Sequence, residues 1–301
     1  MNAVRLDIER AGPLTTIQDR GRTGLLAAGI SASGPMDGAA FARAGCRAGS
    51  TGGAGIEFTR AGLDLHIRDG AVNIGWEGGA FAVAINGVPA SWPGGARLGA
   101  GDRLAIAPGP AGNYGYLRFG RNLALPPVLG SLATNTRAGL GGLEGRGLRK
   151  GDSLVFEGDE GPIRPPTEAE AGDGPIRFVW GIHADLFEPA LRARFVGAPF
   201  AVTPILDRMG VQLADPSGIF AGSAFLSLVS EPVLPGDIQI LGNGTPIVLM
   251  RDHQPTGGYP RIGTVISADL DRFAQIRPGG TIVFAPVSVD HAHRLLRSDQ
   301  T

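Results

Sequence analysis

One turn pattern recurs along this chain and each time runs straight into a strand pattern. Gly101-Asp102 precedes Arg103-Leu104-Ala105-Ile106, and Gly151-Asp152 precedes Ser153-Leu154-Val155-Phe156. Gly236-Asp237 precedes Ile238-Gln239-Ile240, and Gly279-Gly280 precedes Thr281-Ile282-Val283-Phe284. Glycine reaches positive φ without a Cβ clash, and the alternating or apolar run behind it has the period of a half-buried strand. Two copies fall in each half of the chain, which favours a mainly β protein with a few short helices, built as two related β-barrels. The same alternation appears at Val4, Leu6 and Ile8, at Leu63, Leu65 and Ile67, and at Phe81, Val83 and Ile85, where Asn86-Gly87 signals a tight hairpin.

A length of 301 residues exceeds the common size of one domain. The stretch 161–174 is acidic, proline-rich and nearly free of large apolar side chains, so it reads as a linker between domains at 1–160 and 175–301. Short helices are expected over Met36–Arg47, behind Ser33 and Pro35, over Ala184–Phe195, over Asp269–Gln275 and over Asp290–Arg297.

Composition excludes several chemistries. A net charge of −1 and a pI near 6.5 lack the basic footprint of a nucleic-acid binder and disfavour anionic membranes. No run approaches the ~20 apolar residues that span a bilayer, and the single cysteine, Cys46, suits a reducing compartment, so a cytoplasmic protein is expected. Cys46 itself reads as a small buried residue. Lys150 is the only lysine and is followed by Gly151, so there is no Walker-type phosphate loop and no methionine-flanked lysine to carry biotin. Any anion must be held by arginines, backbone N–H groups or a partner. His291 and His293 fall in a helical pattern in which positions two apart diverge by about 200°, so no metal is expected there.

The densest polar cluster is 251–278. Asp252, His253, Gln254, Thr256 and Tyr259 surround Gly257-Gly258, a pair that lets a ligand or another backbone come close. Asp252 and His253 are placed to share a proton; the stretch from Thr256 to Pro260 is equally compatible with a plain turn between strands. Asp207-Arg208-Met209-Gly210 presents an arginine, held by its neighbouring acid, as a planar fork for a carboxylate or carbonyl, or else a surface ion pair. Gln18, Asp19, Arg20 and Arg22, followed by Asp37, build either an anion site or a self-satisfied loop. Glu231 and Gln239 bound a proline-rigidified loop with a carboxylate and an amide suited to an amide ligand. His183 closes a strand as a ligand contact or an ordinary turn histidine.

Taken in order, these clusters resemble the biotin-dependent carboxyltransferase family that contains the C subunit of 5-oxoprolinase, the second subunit of allophanate hydrolase and the matching part of urea amidolyase. The motifs are Thr15-Thr16-Ile17-Gln18-Asp19-Arg20-Gly21-Arg22, Ser33-Gly34-Pro35-Met36-Asp37, and Val128-Leu129-Gly130-Ser131 with Gly141-Gly142-Leu143-Glu144-Gly145-Arg146. In the second half they are Asp207-Arg208-Met209-Gly210, Gly236-Asp237-Ile238-Gln239, Thr256-Gly257-Gly258-Tyr259-Pro260 and Val265-Ile266-Ser267-Ala268-Asp269-Leu270. The resemblance implies two cyclophilin-like β-barrels working with a subunit-B-like and a subunit-A-like partner in the ATP-dependent opening of 5-oxoproline to glutamate. It also admits carboxyl transfer from carboxybiotin to urea or a related amide, with biotin on another chain, and a purely regulatory role in binding a kinase-inhibitor-like partner. On that footing Asp207, Arg208, Asp252 and His253 are the candidate catalytic residues. Gln18, Asp19, Arg22, Asp37, Gln239, Gln254, Thr256, Gly257, Gly258 and Tyr259 are the candidate contacts to a small amide or lactam. The chain departs from the family pattern at Trp180-Gly181-Ile182-His183, where Pro-Gly-Pro-Gln is customary, at Leu206, at Pro255, and over Ala44–Ser50.

Overall fold

The computed structural model describes residues 3–50, 52–167, 172, 174–221 and 228–298. The chain divides into two compact units, Met1–Arg22 with Ser33–Glu170, and Thr23–Ala32 with Ala171–Thr301.

The first unit is a ten-stranded antiparallel sheet. Its strands are β1 (Val4–Ala11), β2 (Thr16–Gln18), β3 (Gly55–Thr59), β4 (Leu63–Asp69), β5 (Ala71–Ile85), β6 (Val88–Ala90), β7 (Gly94–Gly99), β8 (Arg103–Phe119), β9 (Asn122–Leu123) and β10 (Ser153–Glu157), with one helix, α1 (Gly38–Ala48). The sheet order is β2-β3-β8-β4-β1-β10-β9, and β5 branches from β8 to pair with β6 and β7. Strand alternation delivers Val4, Leu6, Ile8, Leu63, Leu65 and Ile67 into one core. Asn86 and Gly87 both take positive φ, 52° and 80°, and join β5 to β6 with Ile85 opposite Val88, the expected two-residue hairpin.

The second unit is a closed barrel with the order β11-β18-β15-β16-β13-β12-β19. It comprises β11 (Ile176–Trp180), α2 (Pro189–Phe195), β12 (Pro199–Leu206), β13 (Gly210–Ala214), β14 (Glu231–Pro232), β15 (Asp237–Ile240), β16 (Pro246–Leu249), β17 (Thr256–Gly257), β18 (Arg261–Val265), α3 (Ser267–Ala274), β19 (Thr281–Pro286) and α4 (Val289–Ser298). β11 closes the barrel by pairing in parallel with β19 and antiparallel with β18. Phe178, Phe195, Phe200 and Phe284 fill it, Phe195 stacking on Phe284 with centroids 5.1 Å apart. Among the described residues β14 and β17 pair only with each other, as a two-stranded ribbon.

The recurrent turns fold alike. Gly101, Gly151, Gly236 and Gly279 all have φ between 87° and 93°. Each glycine donates its N–H to a neighbouring strand, at Ile67, Ile8, Leu249 and Val202 respectively. The aspartate behind the glycine reaches back to the N–H three residues earlier: Asp102 to Gly99 at 2.7 Å, Asp152 to Arg149 at 2.8 Å and Asp237 to Leu234 at 2.9 Å. These carboxylates are therefore parts of the turns.

Three local expectations change. α1 starts at Gly38 with Asp37 as its cap, the carboxylate accepting from Ala40 N at 2.8 Å, because Ser33 sits at φ 57° outside the helix. The segment 184–195 breaks into a 3₁₀ turn, Ala184–Leu186, and α2, since Pro189 forces Glu188 into an extended conformation. Cys46, on α1, is only partly buried. Of the acidic stretch 161–174, residues 168–171 and 173 lie outside the described residues; its start is tied to the end of α1 by Gly161 N to Gly49 O at 2.9 Å and Arg164 N to Cys46 O at 3.0 Å.

Arg118 on β8 is 5% exposed, and its guanidinium lies 4.1 Å from the Phe41 ring and donates to Ser50 Oγ and Phe41 O. Burial pushes its pKa down to about 10, with the Arg20 charge adding to the effect. It fits because Gly45 on α1 and Gly55 on β3 are glycines: a Cβ there would stand 3.1 Å from Nη1 and 2.4 Å from Cδ.

Candidate functional site

Of the residues singled out in the second half of the chain, His183, Glu231, Gln239 and Gln254 are linked directly around β15 and β18. Asp237 and Gln239 share a face of β15, while Ile238 and Ile240 turn to the core. Arg261, the first residue of β18, is the cross-strand partner of Gln239 and lies on that same face. Its guanidinium donates to Asp237 Oδ2 at 3.3 Å, to Pro232 O at 2.9 Å and to Glu231 Oε2 at 2.8 Å, tying the ribbon to the barrel. Glu231 Oε2 also faces His183 Nε2 at 3.3 Å. His183 Nδ1 accepts the Arg261 backbone N–H at 3.2 Å, so the ring proton is on Nε2 and points at the carboxylate.

Gln239 is 2% exposed. Its Oε1 accepts from Gln254 Nε2 at 3.3 Å, while its Nε2, buried, has no acceptor among the described residues. That nitrogen lies 2.5 Å from where a Cβ on Gly257 would stand, so only glycine leaves it in place. An orphaned buried donor costs about 1–3 kcal/mol, which a ligand oxygen would recover.

Asp252 and His253 follow β16. The expected proton sharing between them does not occur: Asp252 is spent on Arg208, through Nε to Oδ2 at 2.8 Å and Nη2 to Oδ1 at 3.0 Å. This bidentate pair is almost wholly buried and is reinforced by Asp252 N to Arg208 O at 2.7 Å. Asp207, the acid next to Arg208 in sequence, instead folds over its own turn and accepts from Met209 N at 2.7 Å and Gly210 N at 3.3 Å. The arginine is thus held by an acid 44 residues away.

His253 is 3% exposed and its Nδ1 lies 2.6 Å from Gln254 O. A carbonyl can only accept, so Nδ1 carries the proton and Nε2 keeps a lone pair that no described residue engages. Burial lowers the pKa of this imidazole, outweighing the carbonyl contact and the charges of Asp237 and Asp252, which favour the proton. His253 is therefore a neutral base at neutral pH. Tyr259 and Thr256 are exposed and Gly258 is half-buried, with its carbonyl accepting from Leu228 N at 2.6 Å.

Gln18, Asp19, Arg22 and Asp37 belong to the first unit, where they lace motifs together. Gln18 Nε2 donates to Thr16 Oγ1 and Thr134 O, and its Oε1 accepts from Gly34 N. Asp19 accepts from Gly21 N, Ser131 Oγ and Leu132 N. Arg22 donates to Ala133 O and Val128 O.

A family model described as "Carboxyltransferase domain, subdomain A and B" matches residues 28–286. The chain belongs to this carboxyltransferase-domain family. It is 34% identical to the C subunit of 5-oxoprolinase from Escherichia coli (strain K12), over 98% of this chain and 95% of that one. It is 29% identical to urea amidolyase of Lachancea kluyveri, covering 97% of this chain but 17% of the relative. Among solved structures, Kluyveromyces lactis urea amidolyase superimposes with a TM-score of 0.88 at 26% identity, over 98% of this chain and 19% of that one. No helix among the described residues is long and apolar enough to cross a membrane.

The sequence did not single out Arg261 as a functional residue. Its partners lie 24, 29 and 30 residues away along the chain, and no local pattern marks such a bridge.

Proposed function

We propose that this chain is the C subunit of an ATP-dependent 5-oxoprolinase, which opens the lactam of 5-oxoproline to glutamate in a cytoplasmic complex with subunit-B-like and subunit-A-like partners and is inactive alone. The C subunits of 5-oxoprolinase from Escherichia coli and Haemophilus influenzae both match it over 95% of their own length, which supports the subunit assignment. The observation that carries the chemical part is His253: a buried imidazole fixed as neutral by Gln254 O, with Nε2 unengaged among the described residues. Such a group accepts a proton from the water that attacks an amide carbonyl. Gln239 Nε2 supplies the donor for the carbonyl oxygen, and Gln254 fixes the orientation of that amide. The Arg208–Asp252 pair sets the start of the loop that bears His253, and Gly257 and Gly258 let substrate approach under Tyr259.

ATP drives the complex, and its phosphate chemistry is assigned to a partner, because Lys150, the only lysine, is followed by Gly151 and so belongs to no Walker-type phosphate loop. The test is reconstitution with the partner subunits and measurement of 5-oxoproline-dependent ATP hydrolysis. His253→Gln is expected to lower kcat about 100-fold or more, the usual size of a general-base contribution. A fully active His253→Gln complex would remove the assignment.

The likeness to urea amidolyase supports a second reading, carboxyl transfer to an amide, for which the same Gln239 donor would hold the acceptor's carbonyl. Carboxybiotin-dependent carboxylation of urea by the reconstituted complex, without 5-oxoproline turnover, would select it.

A further inference from the structure

We propose that Glu231 is a specificity-determining residue that accepts the N–H of the bound amide or lactam whose carbonyl Gln239 holds; the proposal rests on the reading of this face as an amide site. Glu231 and Gly257 are directly opposite each other in the ribbon, so their side-chain directions share one face. Gln239 Nε2 occupies the place of a Gly257 side chain, and the Gln239 amide therefore lies on the face to which Glu231 points. Arg261, opposite Gln239, reaches Glu231 from that same side.

The carboxylate is fixed through one oxygen only. Oε2 takes the Arg261 guanidinium at 2.8 Å and faces His183 Nε2 at 3.3 Å, whereas Oε1 is engaged by no described residue and the side chain is 43% exposed. An arginine and a histidine holding one oxygen leave the other oriented and available as an acceptor. The face thus offers an orphaned donor in its buried part and an oriented acceptor at its solvent edge. A lactam matches this pair, because its cis amide presents C=O and N–H along one side of the ring. A tertiary amide, or an ester in the ring, would satisfy Gln239 and leave Glu231 unmet.

The test compares 5-oxoproline with its N-methyl derivative in the reconstituted complex, and 2-pyrrolidinone with N-methyl-2-pyrrolidinone for binding to the full-length chain by saturation-transfer NMR. Wild type is expected to prefer each N–H compound by about 10- to 100-fold, the worth of a hydrogen bond to a charged acceptor. Glu231→Ala should reduce that preference to within about threefold, raising KM more than it lowers kcat. Glu231→Gln, which keeps a carbonyl acceptor of the same size, should retain part of it and shows that loss in Glu231→Ala is not misfolding. An unchanged preference in Glu231→Ala, or none in wild type, overturns the proposal. If the complex turns over no 5-oxoproline while the chain still selects 2-pyrrolidinone through Glu231, the 5-oxoprolinase assignment fails and the Glu231 site stands.

Discussion

Replacing Asp252 by alanine tests the buried pair on which the second unit's loop depends. The side chains of Arg208 and Asp252 are 3% and 4% exposed and are joined by two bonds of 2.8 and 3.0 Å. Removing the carboxylate deprives a buried guanidinium of this ion pair, and breaking a buried pair in this way costs about 3–5 kcal/mol. At about 3 °C per kcal/mol for a unit of this size, the corresponding transition should fall by roughly 10–15 °C. Because the cost lies in stranding a charge and not in losing an attraction, the double variant Arg208→Met/Asp252→Leu should recover most of the stability. Scanning calorimetry of the single and double variants, with the two units' transitions resolved, decides the matter. A loss below about 1 kcal/mol in Asp252→Ala, or a double variant no better than the single, would refute the reasoning.

Other outcomes are specific. Burial lowers the pKa of His253, so the unfolded chain binds the proton more readily; stability should fall as pH drops below the unfolded value near 6.5, down to the folded pKa, and His253→Gln should flatten Tm against pH across that window. Gly257→Ala places a methyl 2.5 Å from Gln239 Nε2, the end of a side chain that can swing away, so KM for 5-oxoproline should rise about tenfold while Tm moves by only a few degrees. Gly62→Ala, at φ 75° with its new Cβ 2.0 Å from Ile106 O, should cost about 2–3 kcal/mol in urea unfolding of the first unit. Asp37→Ala removes the cap of α1 and should cost about 1 kcal/mol in the same assay.

What the chain reveals without coordinates divides by the range of the interaction. Strand alternation, the Asn86-Gly87 hairpin and the Gly-Asp turns are set by residues within a few positions of one another, and all appear as read. The cap of α1 lies a few residues beyond Ser33 because Ser33, whose chemistry suits a cap, has φ 57°, whereas Asp37 has the extended backbone of a cap. The site behaves otherwise. Arg208 has an acid beside it and takes another 44 residues away, since Asp207 is turned into its own backbone by the Met209 and Gly210 N–H groups. Asp252 has a histidine beside it and binds the arginine instead. Adjacency in sequence suggested both pairings; the four residues lie in turns outside the strands, where backbone groups take Asp207 and the His253 ring and leave Arg208 and Asp252 to each other.

The contact between Arg118 and Gly45 couples what the two positions can hold. Because Gly45 and Gly55 both border the guanidinium and its stem, a larger residue at either place and an arginine at 118 compete for one volume. A Cβ at 45 would stand 3.1 Å from Nη1 and press on the guanidinium, so added bulk at 45 is better tolerated when the residue at 118 is small. Gly45→Ala is therefore expected to be milder in a chain that carries Arg118→Ala than in the wild type.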